Sequence, residues 1–418
     1  MSLRRTLGLA QVTIAGIGVI LGAGVYVLIG PAAGHAGSAL WLAFVLSGVA
    51  AGCTAYCYAR IGSMRPRDSP EFQYTTLAFG PRVGFVAGWL MLAADLLAVA
   101  TVALGFGGYL AHLTGVPVVA GALALLLAAG ATLLVGVGES VGLAIALTVV
   151  EAAGLLFVIV IGAPSWHRLD LFDAPHGVGG LTGAAALIFF AYLGFDELGN
   201  FAEEMHDPAR NLPRALYLSM AGATAIYVLV ALSATAVVDW RELGASPAPL
   251  ALVARHTLGP GADLALSVVA LAATANTVLL LLLAASRSVY GMADAGVLSA
   301  RLAVVGARSV PSVAALLVTG IAALLVLPGD LTRAAALTDA AVLASFILVS
   351  LSLPRLSLTG ATSARGGRRV ADLVVPALAV LMCGGLLLHT GAASIAAAVV
   401  LALASFALTF RRGARAPS

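Results

Sequence analysis

The 418-residue chain contains no lysine, and only 10% of it is charged. Soluble domains carry roughly 25% charged residues, so an ordinary water-facing shell is excluded. Cysteine is scarce. Cys53 and Cys57 share a helix face and Cys383 stands alone; with no further thiols or nearby histidines they read as small core hydrophobes, not a metal site. The seven histidines fall in loops or at the ends of apolar runs. No nucleophile elbow, phosphate loop or HExxH pair occurs, so the usual constellations of an enzyme are missing and catalysis is not expected. The net charge of +3 comes from loop arginines and gives no reason to expect a nucleic-acid partner.

What is present is apolar. Hydrophobic residues make up 61% of the chain and the mean hydropathy is +1.05. Runs of membrane-helix length, about 20 residues, recur from end to end and exclude the short alternating strands of a β-barrel. They predict a polytopic all-α protein with twelve spans, near 9–33, 38–60, 83–112, 117–138, 141–163, 181–202, 213–238, 262–290, 311–328, 333–353, 371–389 and 391–410. The leading MSLRR is too short for a cleavable signal and reads as the start of span 1. If twelve spans alternate, all of the 22 arginines except Arg168, Arg241, Arg255 and Arg333 fall on one side. Basic residues collect in cytoplasmic loops, which places both termini in the cytoplasm.

Carboxylates inside spans are expensive, about 2.5–3.5 kcal/mol near the bilayer centre on insertion scales, and usually face a cavity or a partner. Glu151 is central to span 5 and is the strongest candidate for a functional acid. Asp95 in span 3 and Asp339 in span 10 divide evenly between a pathway role and an interhelical hydrogen bond. Asp196 and Glu197 in span 6 can serve simply to cap broken helix ends.

Two spans are interrupted by glycine. Span 1 carries GIGVILGAG, and span 6 carries FFAYLGFDELGNFAEE, with Gly194 and Gly199 flanking the two acids. Glycine costs about 1 kcal/mol relative to alanine inside a helix, so such clusters suggest backbone that is not helical. Glycine can also serve close helix packing, but packing explains neither the acids nor the matched position. The interruptions stand five spans apart. Five is odd, so a second set of five starts from the opposite face, as an inverted repeat requires, and paired interruptions point to a transporter binding site.

IGVILGAGVYVLIGPAAGHAGSAL resembles the first-span signature of permeases in the amino acid, polyamine and organocation superfamily, especially its cationic amino acid transporter branch. FFAYLGFDELGNFAEEMHDPARNLPRAL, SRSVYGMADAGVLSARLA and GWLMLAADLLAVATVALGFGGYL resemble spans 6, 8 and 3 of the same family. The resemblance implies a five-plus-five inverted repeat of the leucine-transporter type, with residues 1–163 and 181–353 as the two halves and 371–410 as two peripheral helices. It implies that amides around Gly22, Ala23 and Gly24 hold a substrate carboxylate. The carbonyls of Ile20, Phe190, Ala191 and Leu193, beside Gly194, would receive the α-ammonium group.

Aligned with the family's span 5, Glu151 occupies a place where many proton-coupled members resemble one another in having a lysine. A buried carboxyl can itself load a proton and release it when its cavity hydrates, so the expectation is a different proton carrier in the same place. Ala273, Asn276 and Thr277 of span 8 resemble the sodium-site face of sodium-coupled relatives, which keeps sodium open. Arg60 stands where a glutamate is common, and Pro70 and Glu71 replace small loop residues. Asp95, Asp196, Asn276, Thr277 and Asp339 are candidates for pocket or gate.

The function expected is secondary active transport of amino acids or related amines by proton symport in the cell (inner) membrane. The partners are then the lipid bilayer and a small-molecule substrate. No cofactor is expected beyond the ion gradient. Sodium-coupled uptake, exchange on the same fold and a non-transporting amino acid sensor are the alternatives.

Overall fold

The computed structural model describes residues 7–64, 70–135, 141–198, 205–294, 296, 298–305, 311–359 and 367–412. Gly199, the loop residues 65–69 and both termini, on which parts of the sequence reading fall, lie outside the described residues. The α-helices run in order α1 (Leu9–Ile20), α2 (Gly24–Ala36), α3 (Leu40–Met64), α4 (Pro70–Phe79), α5 (Pro81–Thr114), α6 (Val118–Val135), α7 (Val141–Gly162), α8 (Gly177–Ile188), α9 (Pro208–Val237), α10 (Trp240–Ala245), α11 (Pro249–Leu258), α12 (Pro260–Asp294), α13 (Ser312–Leu325), α14 (Leu331–Leu358), α15 (Gly367–His389) and α16 (Ala392–Arg412).

Among the described residues, ten helical stretches are long and apolar enough to cross a membrane, by length and composition. Two shorter apolar helices, α1 and α13, accompany them. The ends are set by local chemistry. Gly80 at φ +90° precedes Pro81, whose fixed φ suits the first helical position, and Gly115 at φ +74° ends α5 in the left-handed conformation that a side chain resists.

Expected span 1 is two helices. The chain leaves α1 at Ile20, turns through Leu21–Ala23 and re-enters helix at Gly24. Expected span 6 also stops midway: α8 tightens into a 3₁₀ turn over Phe189–Tyr192, then becomes extended at Leu193 (ψ 150°), with Gly194 at φ +105°.

The helical parts of these two interrupted segments run in opposite senses, with a local parallel bridge between Leu7 and Met205 at one end. His176 Nδ1 pairs with the carbonyl of His35 at 3.2 Å, and the His206 amide donates to the Leu7 carbonyl at 2.9 Å. Between those ends, a Cβ on Gly24 would lie 2.8 Å from Ala191 Cα, and one on Gly194 would lie 2.9 Å from Val19 Cγ1. The breaks therefore meet, because glycine at each crossing lets backbone approach backbone.

On the face opposite the amino terminus, α10 and α11 close over α2. A Cβ on Gly30 would lie 2.6 Å from the Leu243 carbonyl and 3.1 Å from Pro249, and one on Gly108 would lie 2.7 Å from the Pro247 carbonyl. Residues 23–30 are accordingly buried. On the amino-terminal side, Val19 keeps 40% of its surface exposed, and Gly22, Leu193 and Gly194 are half-buried.

Candidate functional site

The break in α1–α2 leaves backbone groups without helical partners. Gly24, Val25 and Tyr26 begin α2, so their amides point back toward the break at the positive end of a helix dipole. The Ala23 amide donates to Thr277 Oγ1 of α12 at 3.4 Å, which draws the span 8 candidate to the site. Asn276 beside it is buried and Ala273 lies one turn away on the same helix.

Three of the four carbonyls expected to receive an ammonium group, those of Ile20, Ala191 and Phe190, have internal partners in this conformation. Tyr227 of α9 places its hydroxyl 2.5 Å from the Ile20 carbonyl and 2.8 Å from the Ala191 carbonyl. A phenol has one proton, so it can donate to only one of them at a time. The Phe190 carbonyl accepts from the Leu193 amide at 3.2 Å. Tyr227 thus ties the two breaks together. Its type and sequence position gave no sign of this, because the contact depends on how α9 lies across the crossing.

Two more tyrosines frame α2. Tyr26 donates to the Glu151 backbone carbonyl at 2.6 Å, and Tyr109 of α5 donates to the Tyr26 carbonyl at 2.9 Å. All three rings are fully buried, so their hydroxyls satisfy carbonyls that have no water.

Glu151 stands level with the break. One turn before it on α7, Thr148 Cγ2 would lie 2.7 Å from a Cβ on Gly18. One turn after it, Gly154 faces the Tyr26 hydroxyl and Val269 of α12. The residue is 2% exposed, its Oε1 has no hydrogen-bond partner among the described residues, and it lies within electrostatic reach of Tyr26 and Tyr227. Burying a polar group unpartnered costs free energy. A bound proton or cation there would lower that cost.

The other acids separate into two places. Asp196 Oδ1 accepts the Gly194 amide at 3.1 Å and so caps the turn after the break. Asp95, Asp196, Glu197 and Glu71 lie within mutual electrostatic reach on the amino-terminal side of the crossing. Glu71, on the short helix α4, accepts from Tyr58 at 2.6 Å, and its carboxyl is pushed up to about 8, chiefly by burial and next by Asp196. Asp339 is elsewhere. It is fully buried on α14, two turns from Phe346, which packs on Phe189 and Phe195; among the described residues, neither of its oxygens has a partner.

A family model described as "Amino acid permease" matches residues 7–410. The chain belongs to the amino acid permease family. This permease is 28% identical over 433 residues to the branched-chain amino acid permease BcaP of Bacillus subtilis (strain 168), covering 98% of this chain and 93% of the relative. It is 31% identical over 319 residues to a methylthioribose transporter of the same organism, covering 71% and 69%. It is 28% identical over 378 residues to the vacuolar cationic amino acid transporter 2 of Arabidopsis thaliana, covering 84% and 59%. Family membership makes it a multi-pass membrane transporter and not an enzyme.

Proposed function

We propose that this permease carries amino acids by proton symport through alternating access, with twelve spans, a five-plus-five inverted repeat, cytoplasmic termini and residence in the cell membrane. The observation that carries the reading is the crossing of two broken helices beside Glu151. In this reading the amides at the start of α2 take the substrate carboxylate, since a helix N-terminus attracts an anion. Tyr227 faces two carbonyls with one proton, so the carbonyl left without a donor is open to an α-ammonium group. With the amino-terminal face in the cytoplasm, burial of residues 23–30 and exposure of Val19 correspond to an inward-facing conformation.

Two of the three relatives are named for amino acids, branched-chain and cationic, and the family model is an amino acid permease, which supports amino acids as the class; the third relative is named for methylthioribose. Purified protein in liposomes, given an inward proton gradient without sodium, is expected to accumulate one or more amino acids. Uptake that ignores the proton gradient and requires sodium would replace this reading with the second one. That second reading is favoured by one contact: Thr277 on the Ala23 amide puts a hydroxyl oxygen beside the break, where a small cation could join Glu151.

A further inference from the structure

Away from the crossing, α3 and α9 part to leave a groove of about 440 Å³ on the outside of the bundle. Its walls are Val45, Gly48, Val49 and Gly52 on one helix and Met220, Ala221, Thr224 and Ala225 on the other, with Tyr217 at one end. Val49, Ala221 and Ala225 are exposed, so the groove opens toward the membrane.

At the Tyr217 end the walls become basic. The stripe Gly48, Gly52, Tyr56 continues at helical spacing to Arg60, and Tyr217 continues one turn back to Arg214 and two turns back to Arg210. The antiparallel helices bring these arginines to the same face, and Tyr217 lies within electrostatic reach of Arg60. Arg60 is spent on Asp372 of α15, bonded at 2.8 Å through both Nε and Nη2. Arg210 and Arg214 are exposed and, among the described residues, have no ion pair.

We infer that the groove between α3 and α9 is a binding site for one anionic glycerophospholipid, an acyl chain lying between the helices and the headgroup phosphate held by Arg210 and Arg214. The charge at the mouth selects an anion, and the walls beneath accept only a hydrocarbon. A helix is about 10–12 Å across and would fill 440 Å³ within roughly one turn, so the volume suits a chain and not a partner helix. Basic residues next to a gap between membrane helices are a recognised way of holding acidic headgroups. The floor of the groove bears on the substrate site: a Cβ on Gly48 would lie 3.0 Å from the hydroxyl of Tyr192, which belongs to the break in span 6. The lipid is therefore placed to brace one wall of the crossing.

Native mass spectrometry of the detergent-purified permease with added phosphatidylglycerol or phosphatidylcholine tests this without any transport assay. The expected result is a single phosphatidylglycerol adduct that outcompetes phosphatidylcholine, with about five-fold of the preference lost for each arginine removed by Arg210→Gln and Arg214→Gln. Gly52→Leu should abolish the adduct by filling the groove. The nearest atom to a Cβ there, Met220 Cγ, is 4.0 Å away, so the added side chain enters open space and the variant should elute as a folded protein. No preference for phosphatidylglycerol in the parent, a preference that survives Gly52→Leu, or a co-purifying polypeptide in place of lipid would overturn the proposal.

Discussion

At the scale of single residues, the site is governed by groups with fewer partners than they need. Glu151→Gln keeps the shape of the side chain and removes its ability to carry a charge. Substrate binding, read as a thermal shift with saturating amino acid, is expected to persist while proton-driven accumulation disappears; accumulation that keeps its full pH dependence would remove Glu151 from coupling. Tyr227→Phe removes the donor shared by Ile20 and Ala191. A buried acceptor left unsatisfied costs about 1–3 kcal/mol, so the variant should unfold at lower temperature. Substrate should recover part of that loss by supplying an ammonium group, and a deficit unchanged by substrate would argue against the carbonyls as its site. Glu151 was legible in the sequence because an acid in an apolar run stands out. Tyr227 was not, since a tyrosine near the middle of a membrane helix has many ordinary uses.

Among the elements, spans were legible because hydropathy is a local property, and the long helices α5 and α12 extend only a few residues beyond the expected 83–112 and 262–290. The two breaks were legible through their glycines. What the sequence withheld was pairing: that α4 reaches back under span 6 through Tyr58 and Glu71, or that Arg60 of α3 finds Asp372 of α15. The first contact spans only 13 residues but crosses from one helix to the next, and the second joins residues 312 apart; neither follows a helical period. The Arg60–Asp372 pair is unevenly buried, with side-chain exposures of 22% and 0%. Arg60→Gln strands a buried carboxylate whose remaining donor is Tyr56, whereas Asp372→Asn leaves a guanidinium that still reaches water. Breaking a buried pair by removing one member costs about 3–5 kcal/mol, and the larger share is expected for Arg60→Gln. Thermal midpoints of the two variants and the double variant would decide, equal losses for the singles being the contrary result. Gly24→Ala tests the crossing itself: its Cβ would sit 2.8 Å from Ala191 Cα, so the helices must separate, and transport should fall in a protein that still purifies as a single species.

For the molecule as a whole, the acids gathered on the amino-terminal side tie global stability to pH. Glu71 titrates near 4.5 when unfolded and is pushed up to about 8 in the fold, with Asp196, Glu197, Asp95 and the Tyr58 hydroxyl as its neighbours. A raised value means that folding favours the protonated form. Its contribution is complete below 4.5 and is lost as pH rises through about 8. The unfolding midpoint should therefore decline across that interval, and Glu71→Gln should flatten the decline; a parallel decline in the variant would assign it to other groups. The broken span also bears on biogenesis. α1 and α2 have 12 and 13 residues, about 18 and 20 Å of helix, against a hydrocarbon core of about 30 Å. Neither half spans that core by itself, and the hydroxyl that caps Ile20 belongs to Tyr227, some two hundred residues later in the chain. A first span that entered the bilayer as one continuous helix would open at Leu21–Ala23 only once Tyr227 had arrived, so the crossing would be completed late in synthesis.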